Sequence, residues 1–205
     1  MENLMAKHPE LTKAVEFHGH LCPGLVIGYR ASQAAMARLA SGRAADEELV
    51  AIVHTDGCGV DALQVLLGCT LGKGNLIYKD SGKQVYIVGN RATGQAVRVA
   101  LRPDPAGADQ QQAQLRNAVF GGTATPEQEQ KFGRAQQARM EQLLTGGDDE
   151  IFAIREVELE LPGKARIFSS VICQDCGESV MEARARLREG QPVCPECYQE
   201  YTRGW

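Results

Sequence analysis

Long apolar segments are missing from this sequence. No hydrophobic run approaches the roughly 18 residues that a membrane-spanning helix needs, so we expect no membrane anchor in it. The first residues, MENLMAKHPELTKAVEF, do not combine a cationic start with an apolar stretch, which is the pattern of a secretory signal. We therefore expect a cytoplasmic location.

An excess of basic residues is missing as well. The net charge is −4 at pH 7, and no compact polybasic cluster stands out. Proteins that bind nucleic acid or anionic membranes through phosphate groups usually carry such clusters. The charge pattern therefore argues against nucleic acid and against a membrane surface as partners.

Cysteine, in contrast, is plentiful. The seven cysteines are an odd number and include two CxxC pairs. In a protein that we expect in the cytoplasm, this usage favours metal binding or thiol chemistry over a disulfide framework. Four of the seven lie in the last 33 residues. This asymmetry, together with the break at Pro162-Gly163, predicts two domains, residues 1–163 and residues 164–205.

The C-terminal cysteines have the spacing of a zinc finger. Cys173 and Cys176 form one pair, and 17 residues separate it from the second pair, Cys194 and Cys197. Two such pairs can enclose one zinc ion in a tetrahedron of thiolates. The segment has too few large apolar residues for a core of its own, so the metal would supply the missing stability. Because all four ligands come from the protein, we expect a structural Zn²⁺.

A second candidate site lies in the stretch Phe17–Gly24, where His18, His20 and Cys22 fall close together. Cys58 lies on a glycine-containing turn before another predicted helix, and a helix N-terminus favours a thiolate. These four residues are candidate ligands of a second Zn²⁺, with Cys22, Cys58 and His18 as candidate catalytic groups. The alternative is a glycine-rich turn whose histidines only cap the helix.

Two aspartates near Cys58 add a question of their own. Asp56 and Asp61 are candidates for orienting a ligand or for acid–base chemistry. As residues at the start of a helix, they are equally suited to simple capping. The sequence leaves both interpretations open.

Apolar patterns predict an α+β or α/β fold with a mixed sheet for the first domain. Five strand-like segments are interleaved with helical ones. The turn Asp80–Lys83 predicts a hairpin between the second and third strands. Predicted helices cover 9–17, 25–40, 60–67, 108–120, 126–145 and 198–203, and predicted strands cover 48–54, 76–78, 84–88, 96–101 and 152–161.

Longer runs of the sequence resemble a known family. FHGHLCPGLVIGYRAS, followed by TDGCGVDALQVLLGCTLGKGNL and a later DSGK, is similar to the FmdE family, named for an accessory component of molybdenum or tungsten formylmethanofuran dehydrogenase. The tail CQDCGESVMEARARLREGQPVCPECY resembles the TraR/DksA type of treble-clef zinc finger. The resemblance implies a thioredoxin-like α+β domain, a metal site at His18, His20, Cys22 and Cys58, a small treble-clef domain and a homodimer.

Three functions follow as hypotheses. The first is an accessory metal-binding protein or small redox-related enzyme, associated with an oxidoreductase such as the dehydrogenase that names the family, with redox-enzyme subunits as partners. The second is a transcription-associated protein that docks through its zinc finger. The third is a purely structural subunit without catalysis.

Overall fold

A computed structural model of the chain describes residues 5, 7–103, 110–201 and 203. Its helices are α1 (Pro9–His18), α2 (Pro23–Arg38), α3 (Gly59–Leu67), α4 (Gln110–Phe120), α5 (Pro126–Thr145) and α6 (Asp148–Ile151). Its strands are β1 (Leu49–Val53), β2 (Leu76–Tyr78), β3 (Val85–Asn90), β4 (Ala96–Leu101), β5 (Phe152–Glu156), β6 (Ser170–Ile172), β7 (Ser179–Met181), β8 (Arg186–Arg188) and β9 (Gln191–Val193). None of the helices in these ranges combines the length and the apolar character needed to cross a membrane. The chain forms two compact units, Met1–Lys164 and Ala165–Trp205.

The first five strands form one mixed sheet in the order β2-β1-β3-β4-β5. β1 and β2 run parallel because α3 connects them as a crossover, whereas the other neighbours are antiparallel. The predicted α+β fold with a mixed five-stranded sheet is confirmed. The hairpin predicted at Asp80–Lys83 is wrong, because β1 lies between β2 and β3. The backbone N–H of Lys83 donates instead to the carbonyl of His54, just after β1.

The core lies between one face of the sheet and the helices. Ala51, Val88 and Val97 are cross-strand neighbours on that face. They belong to one buried apolar cluster that also includes Leu25 of α2 and Leu63 of α3. Each fully buried Leu or Val side chain stabilises the fold by about 1.5–3 kcal/mol relative to an exposed one. The helices are therefore held on this face by ordinary apolar burial.

Helices α2 and α3 touch through their backbones. A Cβ added to Gly28 would overlap the carbonyl of Gly59, so glycine is required where the two helices meet. Gly59 begins α3, and Cys58 precedes it. Cys22 lies at the same position before α2. The close contact thereby brings two cysteine-bearing helix N-termini into one region.

The last strand of this sheet is shorter than predicted. β5 ends at Glu156, whereas the alternating pattern predicts a strand as far as residue 161. Leu161 packs against Gly89, at a position that a Cβ would fill. The guanidinium of Arg91 donates to backbone carbonyls of the same segment. The backbone N–H of Val157 still donates to the carbonyl of Ala96 in β4, and the contacts with Gly89 and Arg91 begin only at Leu161.

The second unit consists of two short hairpins, β6–β7 and β8–β9. Its buried apolar cluster comprises Cys173, Val193 and Cys194. The helix predicted over 198–203 is wrong, because residues 198–201 and 203 are irregular and Thr202 lies outside the described residues. Of the helix predicted over 108–120, residues 108 and 109 lie outside the described residues, and α4 begins at Gln110.

Candidate metal centres

Three of the predicted ligands come together at the start of α2. The ligating atoms of His18, His20 and Cys22 all lie within 4.8 Å of one another. His18 Nε2 lies 3.9 Å from Cys22 Sγ, and the centroids of the two imidazole rings are 4.6 Å apart. His18 ends α1, and Gly19 adopts a φ of 93°, a left-handed turn that glycine permits. The turn and the two helix ends thus bring imidazole and thiol groups into one cluster.

Asp61, in the first turn of α3, orients the first of these imidazoles. Its Oδ2 lies 2.7 Å from His18 Nδ1, and its Oδ1 accepts a hydrogen bond from Gln64 Nε2 at 3.2 Å. The side chain of His18 is only 12% exposed. A metal-binding histidine usually gives its other ring N–H to a carboxylate or carbonyl in this way. The contact leaves Nε2, the nitrogen that faces Cys22, available to a metal ion, so the donor set fits a borderline ion such as Zn²⁺.

Cys22 is both a candidate ligand and a helix cap. Its Sγ accepts a hydrogen bond from the backbone N–H of Leu25 at 3.4 Å. The pKa of the Cys22 thiol is raised, and burial is the largest cause. The backbone N–H of Leu25 opposes this shift, whereas the nearby Cys58 adds to it. Burial therefore opposes the thiolate that the helix start favours. Metal coordination is what would favour the thiolate here.

Cys58 lies beside the cluster and does not belong to the three-residue group. Unlike the Cys22 thiol, its side chain makes no capping hydrogen bond. A Cβ placed on Gly24 would lie 3.6 Å from Cys58 Sγ and 3.9 Å from Cys22 Sγ, so both thiols border Gly24. The sequence predicts the same local chemistry for the two cysteines, whereas in the structure Cys22 caps its helix and joins His18 and His20, and Cys58 does neither.

Two residues that the sequence did not single out lie beneath the Cys58 turn. The hydroxyl of Tyr86 donates to Gln84 Oε1 at 2.6 Å. The same hydroxyl fills the space that a Cβ on Gly59 would need. Burial, and to a lesser extent Cys58, raises the pKa of Tyr86 well above its usual value, so the phenol stays neutral. The pairing of β1 with β3 brings Tyr86 beneath the Cys58 turn. No local sequence pattern indicates this pairing.

The four C-terminal cysteines form the second cluster. The Sγ atoms of Cys173, Cys176, Cys194 and Cys197 all lie within 4.8 Å of one another, with Cys176 and Cys194 4.0 Å apart. A tetrahedron of thiolates around zinc at about 2.3 Å requires sulfur separations of about 3.8 Å, so the cluster fits a structural zinc ion.

Backbone N–H groups favour the thiolate of one cysteine in this cluster, Cys173. The N–H of Cys194 donates to Cys173 Sγ at 3.2 Å. Backbone hydrogen bonds from Cys176 and Cys194 lower the pKa of Cys173 to about 6. The lowered pKa favours the thiolate of Cys173, which is the form that binds metal, whereas the neighbouring thiols raise the pKa of Cys176 and raise that of Cys197 to about 12.

Family models match both units of the chain. A model described as "FmdE, Molybdenum formylmethanofuran dehydrogenase operon" matches residues 17–153. The chain belongs to the FmdE family. A second model, "Prokaryotic dksA/traR C4-type zinc finger", matches residues 166–203 of this FmdE-family protein. Both resemblances seen in the sequence are thereby confirmed.

Two similar proteins extend the comparison. The chain is 31% identical over 201 residues to a protein of Archaeoglobus fulgidus named "Probable S-adenosyl-L-methionine-binding protein". The match covers 93% of this chain and 53% of that relative, so the chain spans about half its length. The fold is similar, with a TM-score of 0.60, to the crystal structure of an FmdE-like protein, named for tungsten formylmethanofuran dehydrogenase, from Syntrophus aciditrophicus. That match has 24% identity and covers 91% of this chain and 89% of the other.

Within this FmdE-family protein, the structure separates the two aspartates that the sequence could not rank. Asp61 contacts His18, whereas Asp56 is exposed on the turn before Cys58. The helical pattern of the sequence shows only that Asp61 lies near a helix start. Its partner, His18, is 43 residues away in the chain. No local signal could have linked them.

Proposed function

We propose that this FmdE-family protein is an accessory metal-binding protein whose working centre is His18, His20 and Cys22. The observation that carries the proposal is the 2.7 Å contact between Asp61 and His18 Nδ1, which directs Nε2 toward the Cys22 thiol. A turn that only caps a helix does not require a carboxylate on a different helix to orient its imidazole. The four-cysteine cluster is a structural zinc site in this proposal.

The centre differs from the C-terminal site in its number of ligands. Three protein ligands leave one position of a tetrahedral ion free, which is the arrangement of reactive zinc sites. A bound Zn²⁺ supplies a Lewis acid and lowers the pKa of a coordinated water. Asp61 holds His18 in the correct tautomer, and Cys58 adds a second thiol beside the three ligands.

The redox association of the protein belongs to the same proposal. The description of the family model, which names a dehydrogenase operon, supports an accessory role beside a molybdenum or tungsten enzyme. We further propose redox-enzyme subunits as partners, a homodimer and a cytoplasmic location. The thioredoxin-like arrangement of the first domain stays a prediction.

Counting zinc tests the proposal. Elemental analysis of the purified full-length chain should give two zinc ions per chain for the wild type and one for Cys22→Ala. Cys58→Ala should keep two ions, because Cys58 lies outside the three-residue group.

Cys69→Ala is the matched control. This cysteine is fully buried and belongs to neither group of candidate metal ligands. The control should retain two zinc ions. One zinc ion per chain in the wild type and in all variants would contradict the proposal.

A further inference from the structure

A groove between α1 and α3 lies next to the N-terminal centre. Its volume is about 520 Å³, which is within the range of small-molecule sites. Lys13 and Phe17 of α1 line one wall, and Gln64 and Val65 of α3 line the other. Gln64 also donates to the carboxylate of Asp61, which in turn holds the His18 imidazole. A ligand in the groove would therefore contact the hydrogen-bonded chain that orients the metal ligand.

The charge of the groove favours an anion. Two cations, Lys13 and Arg43, and one anion, Glu10, line it, in a protein whose net charge is −4. No ion pair within the described ranges involves the side chain of Lys13 or Glu10. Arg43 Nε donates to the carbonyl of Val65 at 2.9 Å, which fixes the guanidinium at the rim. The groove thus offers an anchored cation and, among the described residues, a second one outside any ion pair.

The apolar part of the lining favours a flat ligand body. Phe17 is 60% exposed although it is a large aromatic side chain. Val65 and Leu66 extend the apolar lining along α3. A flat apolar group could stack on Phe17 and remove this surface from water.

We propose that the groove binds a small organic anion with a flat apolar body, and that this anion is the ligand on which the N-terminal centre works. The link between this anion and the N-terminal centre rests on the proposed function. Binding of the anion in the groove is independent of that function, because none of the lining residues is a candidate metal ligand.

Fluorescence titration with 8-anilinonaphthalene-1-sulfonate tests the proposal on the full-length protein. This probe carries a sulfonate on an aromatic body and should bind saturably at one site. Lys13→Gln/Arg43→Gln should weaken it about tenfold or more, as expected for the loss of charge-assisted contacts. Phe17→Ala should weaken it too. An excess of naphthalene-1-sulfonate should displace the probe, whereas inorganic sulfate at the same concentration should not.

Lys79→Gln/Lys83→Gln is the matched control, because it changes the net charge equally on a turn that does not line the groove. It should leave probe affinity unchanged. Thermal melts and circular dichroism should show that every variant is folded. Absence of saturable binding, equal affinity of the Lys13/Arg43 variant, or displacement by sulfate would overturn the proposal.

Zinc content measured on the same samples separates the two proposals. The groove variants should keep the zinc content of the wild type. Groove binding in a protein with only one zinc ion would overturn the proposed metal centre and keep the groove as an anion site.

Discussion

Replacing Asp61 by alanine should weaken metal binding at the N-terminal centre without removing any ligand. The contact to be lost joins Asp61 Oδ2 to His18 Nδ1 at 2.7 Å, with His18 almost buried. Removing a carboxylate that orients a metal-bound histidine typically costs about 10–100-fold in metal affinity. This corresponds to about 1.4–2.7 kcal/mol of binding free energy.

Competition with a chromophoric zinc chelator measures the effect. The wild type should release its two zinc ions in two steps, the weaker one from the centre with three protein ligands. Asp61→Ala should raise the dissociation constant of that step only, and the four-cysteine step should not change. Because Asp61 lies in the first turn of α3, the variant should also lose about 0.3–1 kcal/mol of stability from the helix dipole, as read by a thermal melt.

Asp56→Ala is the control, since it removes an equal charge from an exposed position near the same helix start. Its zinc affinity should match the wild type. An unchanged weak step in Asp61→Ala would refute the assignment of His18 as an oriented ligand. An equal loss in both variants would mean that only the overall negative charge attracts the ion.

Two further predictions concern stability, both read by thermal or denaturant unfolding. Gly28→Ala should destabilise the protein by about 1–3 kcal/mol, because the new Cβ would overlap the Gly59 carbonyl where α2 meets α3. Gly133 has open space around it in α5, so Gly133→Ala should stabilise the protein by about 0.5–1 kcal/mol. An equal effect of the two would refute the close helix contact. Arg30→Met should lower the free energy of unfolding by about 2 kcal/mol, because this side chain is 11% exposed and donates to carbonyls at the end of α5 and to a carboxylate of α6. Arg38 forms an exposed ion pair of 3.4 Å, so Arg38→Met should change stability by less than about 0.5 kcal/mol. Similar costs would show that the Arg30 contacts contribute no more than a surface pair.

Local chemistry made parts of the molecule predictable. The helix over 126–145 is observed as Pro126–Thr145, because its start is set by a capping box of Thr125 and Gln128 that needs only neighbouring residues. The four-cysteine cluster is predictable for the same reason, since each CxxC pair brings two ligands together within one turn.

Long-range pairing limited the rest of the fold prediction. The turn at Asp80–Lys83 has the composition of a hairpin, yet β2 and β3 pair on opposite sides of β1. Residues 157–161 keep the alternation of a strand, yet β5 ends at Glu156 and Leu161 packs against Gly89 of β3. In both places the deciding contact is with a strand that is distant in sequence.

The sequence by itself determined which residues can bind metal, because His, Cys and CxxC spacing are properties of the chain. It also determined the membership of the FmdE family, over residues 17–153, and the C4-type zinc finger, over residues 166–203. Only the tertiary structure decided which of the candidates meet. The glycine contact between α2 and α3 brings Cys58 beside Cys22, and the packing of α1 on α3 brings Asp61 to His18. These contacts depend on side-chain volumes and backbone approach between distant segments, which no local pattern encodes.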